Sequence, residues 1–225
     1  GLVMPLDQMH GANLPSHPEL LDWLAGQFAR DNWSVKEMIR QIMMSRTYRL
    51  ASVGDSSARS VDPENRLLWK ANRKRLTAEA IRDSILAISG RLSDEQGGYT
   101  IRKFSQYDWG YEFDTVRRSV YVPLFRNTLM EVFETFDMAN PNIVTGRRNE
   151  TTLPTQALYL MNSPFVNGEA GRLGQRIAQM GNSDAERIRL AYRLTLGREP
   201  SAAEVEVSQA CLLYTSDAAD DMQCV

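Results

Sequence analysis

The sequence is poor in the residues that most often carry chemistry. Its 225 residues include two cysteines and two histidines. Two cysteines cannot build a disulfide framework or a four-thiolate zinc site. His10 and His17 lack the His-Glu-x-x-His or His-x-His spacing of a metal site, and His17 reads as a first-turn helix residue. No acidic loop has calcium-binding spacing. There is no Gly-x-Ser-x-Gly elbow and no Ser-x-x-Lys in a suitable context. No phosphate-cradling loop is present, because Gly168 and Gly171 sit inside a helical pattern and read as a place of close helix packing. No apolar run approaches the roughly 18–20 residues that span a bilayer. Charge of one sign is also missing: 26 Lys+Arg against 28 Asp+Glu give −2, with no global pull toward nucleic acid. At 43% hydrophobic and 24% charged, the chain is not disordered, and its length fits one globular domain or two small ones.

Both ends read as interrupted. Residue 1 is Gly, and Gly1–Leu6 has no charged region followed by an apolar one, so it is not a signal peptide. At the other end Ser201-Ala-Ala-Glu204 is a capping box that opens a helix. The helix pattern (Val205, Val207, Ala210) is expected to break at Cys211. The string from Cys211 to Asp220, CLLYTSDAAD, resembles the translation of a transposon-end sequencing adapter. Residues 210–225 therefore read as a non-native tail. Without the tail's Asp217, Asp220 and Asp221 the body carries 26 basic and 25 acidic residues, a net of +1, and no cysteine. A cysteine-free body excludes disulfides, thiolate nucleophiles, iron–sulfur ligation and covalent haem attachment within it.

Helix signals recur along the body. Ser16/Glu19, Ser34/Glu37, Thr128/Glu131 and Ser183/Glu186 share the capping-box spacing of Ser201/Glu204. Leu20, Leu21, Trp23, Leu24 and Phe28 fall at helical spacing, as do Val35, Met38, Ile39, Ile42 and Met43. The short Asp31–Trp33 link predicts antiparallel neighbours. Residues 52–60 read as an exposed loop. Asp62-Pro63 predicts a cap and first turn of a helix through Trp69. Thr77 opens a helix that Gly90 stops, and Gly97-Gly98 marks a turn. Helices resume after Thr155 and at Ser163-Pro164, and the last strong one ends at Gly197. Tyr107, Trp109, Tyr111 and Phe113 alternate with polar residues or glycine, the period of a strand, and Ser119–Val122 is a second candidate strand. The expected fold is mainly α, a multi-helix domain with a small antiparallel β element near 99–122.

Three regions could carry binding. Arg73-Lys74-Arg75 reads as a solvated charge run. The aromatics of 107–113 read as the buried face of a hairpin, with a stacking platform as the functional alternative. The third region joins Arg117, Arg118, Arg126 and Asn127 to the polar stretch Asp137–Thr152. A sixteen-residue loop without structure of its own is uncommon in a compact domain. Asp137, Asn142, Arg147, Arg148, Asn149, Thr151, Thr152 and Gln156 add donors and acceptors there. Guanidinium forks suit anionic ligands. The structural alternative is that these side chains satisfy loop carbonyls and helix ends.

Ser16–Ala25, Asp62–Trp69, Arg73–Asp83, Arg117–Pro123, Phe136-Asp137, Thr151–Leu158 and Met161–Phe165 occur in that order. Together they resemble the C-terminal domain of unknown function (PSD type, DUF1553-like) of planctomycete cytochrome-c-like surface proteins, and Tyr192–Arg198 is similar to its closing helix. The resemblance covers residues 1–209, which read as a partial domain truncated at its N-terminus, since an Asn-Arg-x-Trp-like opening is missing. It implies a parent exported to the periplasm or cell surface, upstream partner domains in the same chain including a cytochrome-c-like module, and haem c there rather than in this segment. It brings no catalytic residues. The expected role is an accessory domain binding an anionic ligand, a polysaccharide or a partner, with no nucleic acid and no membrane span. The alternative is a polysaccharide-directed hydrolase, which needs two of Asp108, Glu112, Asp114 and Asp137 held at about 5–10 Å across a cleft.

Overall fold

Side chains that satisfy the first backbone N–H groups set four of the helix starts among the described residues. In the computed structural model, which describes residues 10–54, 56–101, 111–146 and 148–221, nine α-helices form among the described residues. They are α1 (Pro18–Arg30), α2 (Val35–Met44), α3 (Ser56–Val61), α4 (Ala78–Ser89), α5 (Glu131–Thr135), α6 (Pro154–Asn162), α7 (Pro164–Met180), α8 (Asp184–Leu196) and α9 (Ala202–Asp221). Ser34, Thr77, Ser183 and Ser201 each accept a hydrogen bond from the N–H three residues on, at 3.3 Å. Gly90 and Gly197 close α4 and α8 with φ of 83° and 67°, left-handed values that glycine adopts without steric cost. Glu204 completes the box at α9 and grips Arg198 with both oxygens, at 2.6 and 2.8 Å. The bonds from Arg198 and from the Ser201 N–H hold its carboxyl down to about 2.

Two expected boxes do not form. α1 begins one residue later, with His17 at the cap and Pro18 at the first position, and α5 is capped by Met130 without a side-chain bond. Pro18 fixes the first-turn φ itself.

The chain divides into two compact units, one reaching to Arg75 and including Ile143–Asn149, the other spanning Leu76–Asn142 and Glu150 onward. In the first, the helix expected after Asp62 is replaced by a turn. The Asp62 carboxylate accepts from the N–H groups of Arg66 (3.0 Å) and Leu67 (2.8 Å), and its carbonyl accepts from Trp69 Nε1 (2.8 Å). Asn65 and Leu68 take φ of 54° and 58°, which ends helical continuation. A local side-chain acceptor has outcompeted the helix ladder. The stretch expected as a loop at 52–60 contains α3.

In the second unit α4 packs on α5 and α7, α6 on α5 and α7, and α7 on α8. The core is Ala78, Val122, Val132, Phe133, Phe136 and Tyr159. Phe136 meets Tyr159 edge-on, with centroids 5.9 Å apart. Burial pushes the Tyr159 hydroxyl above its ordinary pKa. Gly168 and Gly171 are exposed and meet no neighbouring helix, so they do not serve close packing. α9 does not break at Cys211: no Gly or Pro interrupts Ala202–Asp221, and the helix continues to its end.

The expected β element is absent among the described residues, beyond one parallel bridge between Ser93 and Arg117. Ser119–Tyr121 is a 3-10 turn. The cause is a pair on α4. Arg82, 1% exposed, donates from Nη1 to Arg117 O (2.9 Å) and Ser119 Oγ (3.2 Å), and from Nη2 to Thr115 O. Asp83 accepts from the Ser119 N–H (2.8 Å) and hydroxyl (2.6 Å). These bonds occupy the backbone groups a partner strand would use. Tyr107 and Trp109 lie outside the described residues. Tyr111 stacks on Phe125 at 4.2 Å and Phe113 lies 6.3 Å from the same ring, so neither pairs across a hairpin.

Desolvation lowers the Arg82 pKa, against the pull of Asp83, so the fork is held by its acceptors. Removing one member of such a buried set costs about 3–5 kcal/mol, a large share of the roughly 5–15 kcal/mol of a typical domain. Arg82→Met is therefore expected to lower the urea midpoint sharply, and Arg82→Lys not to restore it, because one ammonium cannot replace the fork. A loss under about 1 kcal/mol in Arg82→Met would count against this role.

Candidate functional site

The polar loop after α5 is closed at its base by its own side chains. Asp137 sits at φ 61°, a conformation Asp tolerates better than most residues. Its carboxylate accepts from the Thr151 N–H at 2.7 Å and from the Thr151 hydroxyl at 2.9 Å. Gln156, 3% exposed, donates to Thr135 O at 3.0 Å and accepts from the Leu153 N–H at 3.2 Å. It thereby caps α6 and ties α6 to the end of α5. Asn142 donates to Arg126 O at 2.8 Å. The blocks Phe136-Asp137 and Thr151–Leu158 thus meet through a carboxylate and an amide, with a job in folding.

Arg118, Arg126, Asn127 and Thr152 are exposed in the second unit. Arg148 and Asn149 are exposed and belong to the first unit, and Arg147 lies outside the described residues. Of the carboxylates named for a hydrolase, Asp137 is engaged at the loop base, Glu112 is exposed, and Asp108 lies outside the described residues. Asp114 lines a pocket.

That pocket has Arg117 in its wall. It is a cavity of about 310 Å³, near the lower end of small-molecule sites, lined by Ser93, Glu95, Tyr99, Thr100, Ile101, Asp114, Thr115, Val116 and Arg117. Arg117 is fixed from three sides. Its carbonyl accepts from buried Arg82, its Nη2 pairs with Glu95 at 2.9 Å, and its Nη1 donates to Gly97 O. The Gly97-Gly98 turn takes φ of 75° and 76°, and a Cβ on Gly98 would lie 3.4 Å from the guanidinium. Thr100 bonds Tyr121 O at 2.9 Å and Ser93 N–H bonds Val116 O at 2.9 Å, so the walls are anchored in the backbone. Tyr99 presents its ring to solvent at 75% exposure.

The sequence singled out Arg117 and Asp114 as candidates and did not single out Glu95, Tyr99, Arg82 or Asp83. Glu95 and Tyr99 flank the Gly-Gly turn, and that turn was the available signal. Among the described residues no three His, Cys, Asp or Glu side chains group as metal ligands, and no helix is long and apolar enough to cross a membrane.

The structural part of the loop gives a direct test. Asp137→Ala removes a charged acceptor and places Ala at a positive φ, and should destabilise by about 2–4 kcal/mol. Asp137→Asn keeps an acceptor and the left-handed tolerance, and should lose less. Arg118→Ala and Arg126→Ala should stay within about 0.5 kcal/mol. Thermal unfolding followed by circular dichroism checks all four.

No curated protein and no solved structure matches the chain. A family match does exist and spans nearly all of it: the chain belongs to PSD1, a protein family of unknown function (DUF1553), which matches residues 1–212.

Proposed function

We propose that the chain is an accessory ligand-binding domain whose site is the pocket beside Arg117, and that its ligand is a neutral polyhydroxylated molecule such as a polysaccharide segment. The observation that carries this is the composition of the pocket. Among the described lining residues Glu95 pairs with Arg117 and Asp114 adds a second carboxylate, a net of one negative charge that disfavours an anionic ligand. Hydroxyls from Ser93, Thr100 and Thr115, two carboxylates and an exposed tyrosine ring are what a sugar face needs, donors and acceptors around one apolar plane. This reading moves the binding surface away from the 137–156 loop, most of whose described polar groups brace the fold.

The parent follows from the likeness of the ordered motif blocks. It is a planctomycete protein exported to the periplasm or cell surface, with a cytochrome-c-like module upstream that carries haem c. Residues 210–225 are a non-native tail. The adapter-like string supports this, and the family match ends two residues into it. Deleting 211–225 should leave the unfolding midpoint unchanged.

A second reading, a polysaccharide hydrolase, is favoured by one observation: Asp114 shares the pocket with a second carboxylate, Glu95. Isothermal titration with neutral and sulfated oligosaccharides separates the possibilities. Binding of a neutral oligosaccharide is expected, weakened about tenfold in Tyr99→Ala with the midpoint of unfolding unchanged. Silence with every neutral sugar, or selective binding of sulfated ones, would overturn the proposal. Release of reducing ends, lost in both Asp114→Asn and Glu95→Gln, would establish the hydrolase instead.

A further inference from the structure

The polar groups of the pocket beside Arg117 are unbalanced. Arg117 is the cation among its described lining residues, and both ends of the guanidinium fork are taken, Nη2 by the Glu95 carboxylate at 2.9 Å and Nη1 by Gly97 O. Thr100 gives its hydroxyl proton to Tyr121 O at 2.9 Å. The Ser93 and Thr115 hydroxyls accept from the N–H groups of Glu95 and Arg117, each at 3.2 Å, and so keep their protons to give. Asp114 differs from all of these. It is exposed, and among the described residues none hydrogen-bonds or pairs with its carboxylate. An ionised carboxylate only accepts, through about four lone-pair sites. The described wall therefore offers more acceptors than donors, and it holds one carboxylate whose charge no described lining residue cancels.

We infer that Asp114 is the specificity-determining residue of this pocket and that the ligand it selects is an amino sugar, a sugar unit in which one hydroxyl is replaced by a protonated amine. This rests on the reading of the pocket as a sugar site and narrows it. A hydroxyl both donates and accepts, whereas an ammonium carries three donors and no acceptor. Exchanging one for the other supplies the donors and the positive charge that the wall lacks, and a charge-assisted bond to a carboxylate is roughly twice as strong as a neutral one. Sulfated or carboxylated sugars would instead bring more acceptors to a wall already rich in them. A simple amine carries the charge, but it has no hydroxyls for Ser93 and Thr115 and no ring face for Tyr99.

Isothermal titration of the whole chain with three matched tetramers tests this: glucose, glucosamine and N-acetylglucosamine units of the same linkage, which differ in one substituent per ring. The buffer is acidic enough to keep the free amine protonated. The glucosamine tetramer is expected to bind about threefold to fivefold more tightly than the glucose tetramer, and the N-acetylated one no more tightly than glucose. The preference should fade at about 1 M salt. It should fall to about one in Asp114→Asn and persist in Glu112→Gln, an exposed carboxylate outside the pocket lining. Because Asp114 is exposed, the unfolding midpoint of Asp114→Asn should match that of the parent chain. Equal binding of all three tetramers overturns this inference and leaves the sugar site standing, whereas silence with all three overturns both. A preference that survives Asp114→Asn also overturns it, as does putrescine binding as tightly as the glucosamine tetramer.

Discussion

One buried guanidinium organises the second unit. Arg82 comes from the middle of α4 and reaches backbone more than thirty residues away, where it satisfies carbonyls of Thr115 and Arg117 and the hydroxyl of Ser119. Asp83, its neighbour, takes the N–H and hydroxyl of that same serine. In the segment 115–119 the carbonyls of Thr115 and Arg117 and the N–H of Ser119 are thus met by side chains rather than by a strand, as buried backbone must be met by something. Its inner face is pinned to α4. Its outer face is left to form the pocket wall, and Arg117 belongs to both: its carbonyl is held by Arg82 while its side chain faces Glu95.

That arrangement explains how much the sequence revealed. α2, α4, α8 and α9 were legible at their N-terminal ends, because a serine or threonine three residues before its target N–H is a local fact. Gly90 and Gly197 were legible for the same reason. The failures arose where a side chain reached further. Asp62 looked like a helix cap and is a turn acceptor for Arg66 and Leu67, a choice that depends on Trp69 folding back to its carbonyl. Ser119–Val122 has the β-branched residues of a strand, but Ser119 bonds to Asp83 of α4 while Tyr121 and Val122 close a 3-10 turn on Arg118 O and Ser119 O, and nothing in the sequence nearby announces the first of these.

The candidate site was legible in the same uneven way. The polar loop was correctly read as a loop rich in donors and acceptors. The two roles weighed for it, binding a ligand and satisfying the backbone, leave different marks. Asp137, Thr151, Gln156 and Asn142 bear the second mark, since their partners are the loop's own N–H and carbonyl groups or those beside it. Arg117 bears both. Glu95 and Tyr99 could not be singled out in advance, because an exposed acid and an exposed aromatic near a turn are ordinary until the turn brings them around an arginine.

The two units also differ in what holds them. The second has an apolar core and uses polar side chains to direct loops around it. In the first, the described buried groups are Asp62 and Asn65, and Asn65 alone bonds Lys70 O and Asn72 at 2.8 Å and accepts from the Lys70 N–H at 3.2 Å. Beside that turn Gly54 admits the Trp69 ring so closely that a Cβ would fall 2.0 Å from it. Hydrogen bonds of this kind each contribute only about 0.5–1.5 kcal/mol net, while ordering a residue's backbone costs roughly 1–2 kcal/mol. A unit held mainly by such bonds does not repay its own ordering. Its stability therefore draws as well on the half-buried Leu24, Phe28 and Met38 of α1 and α2.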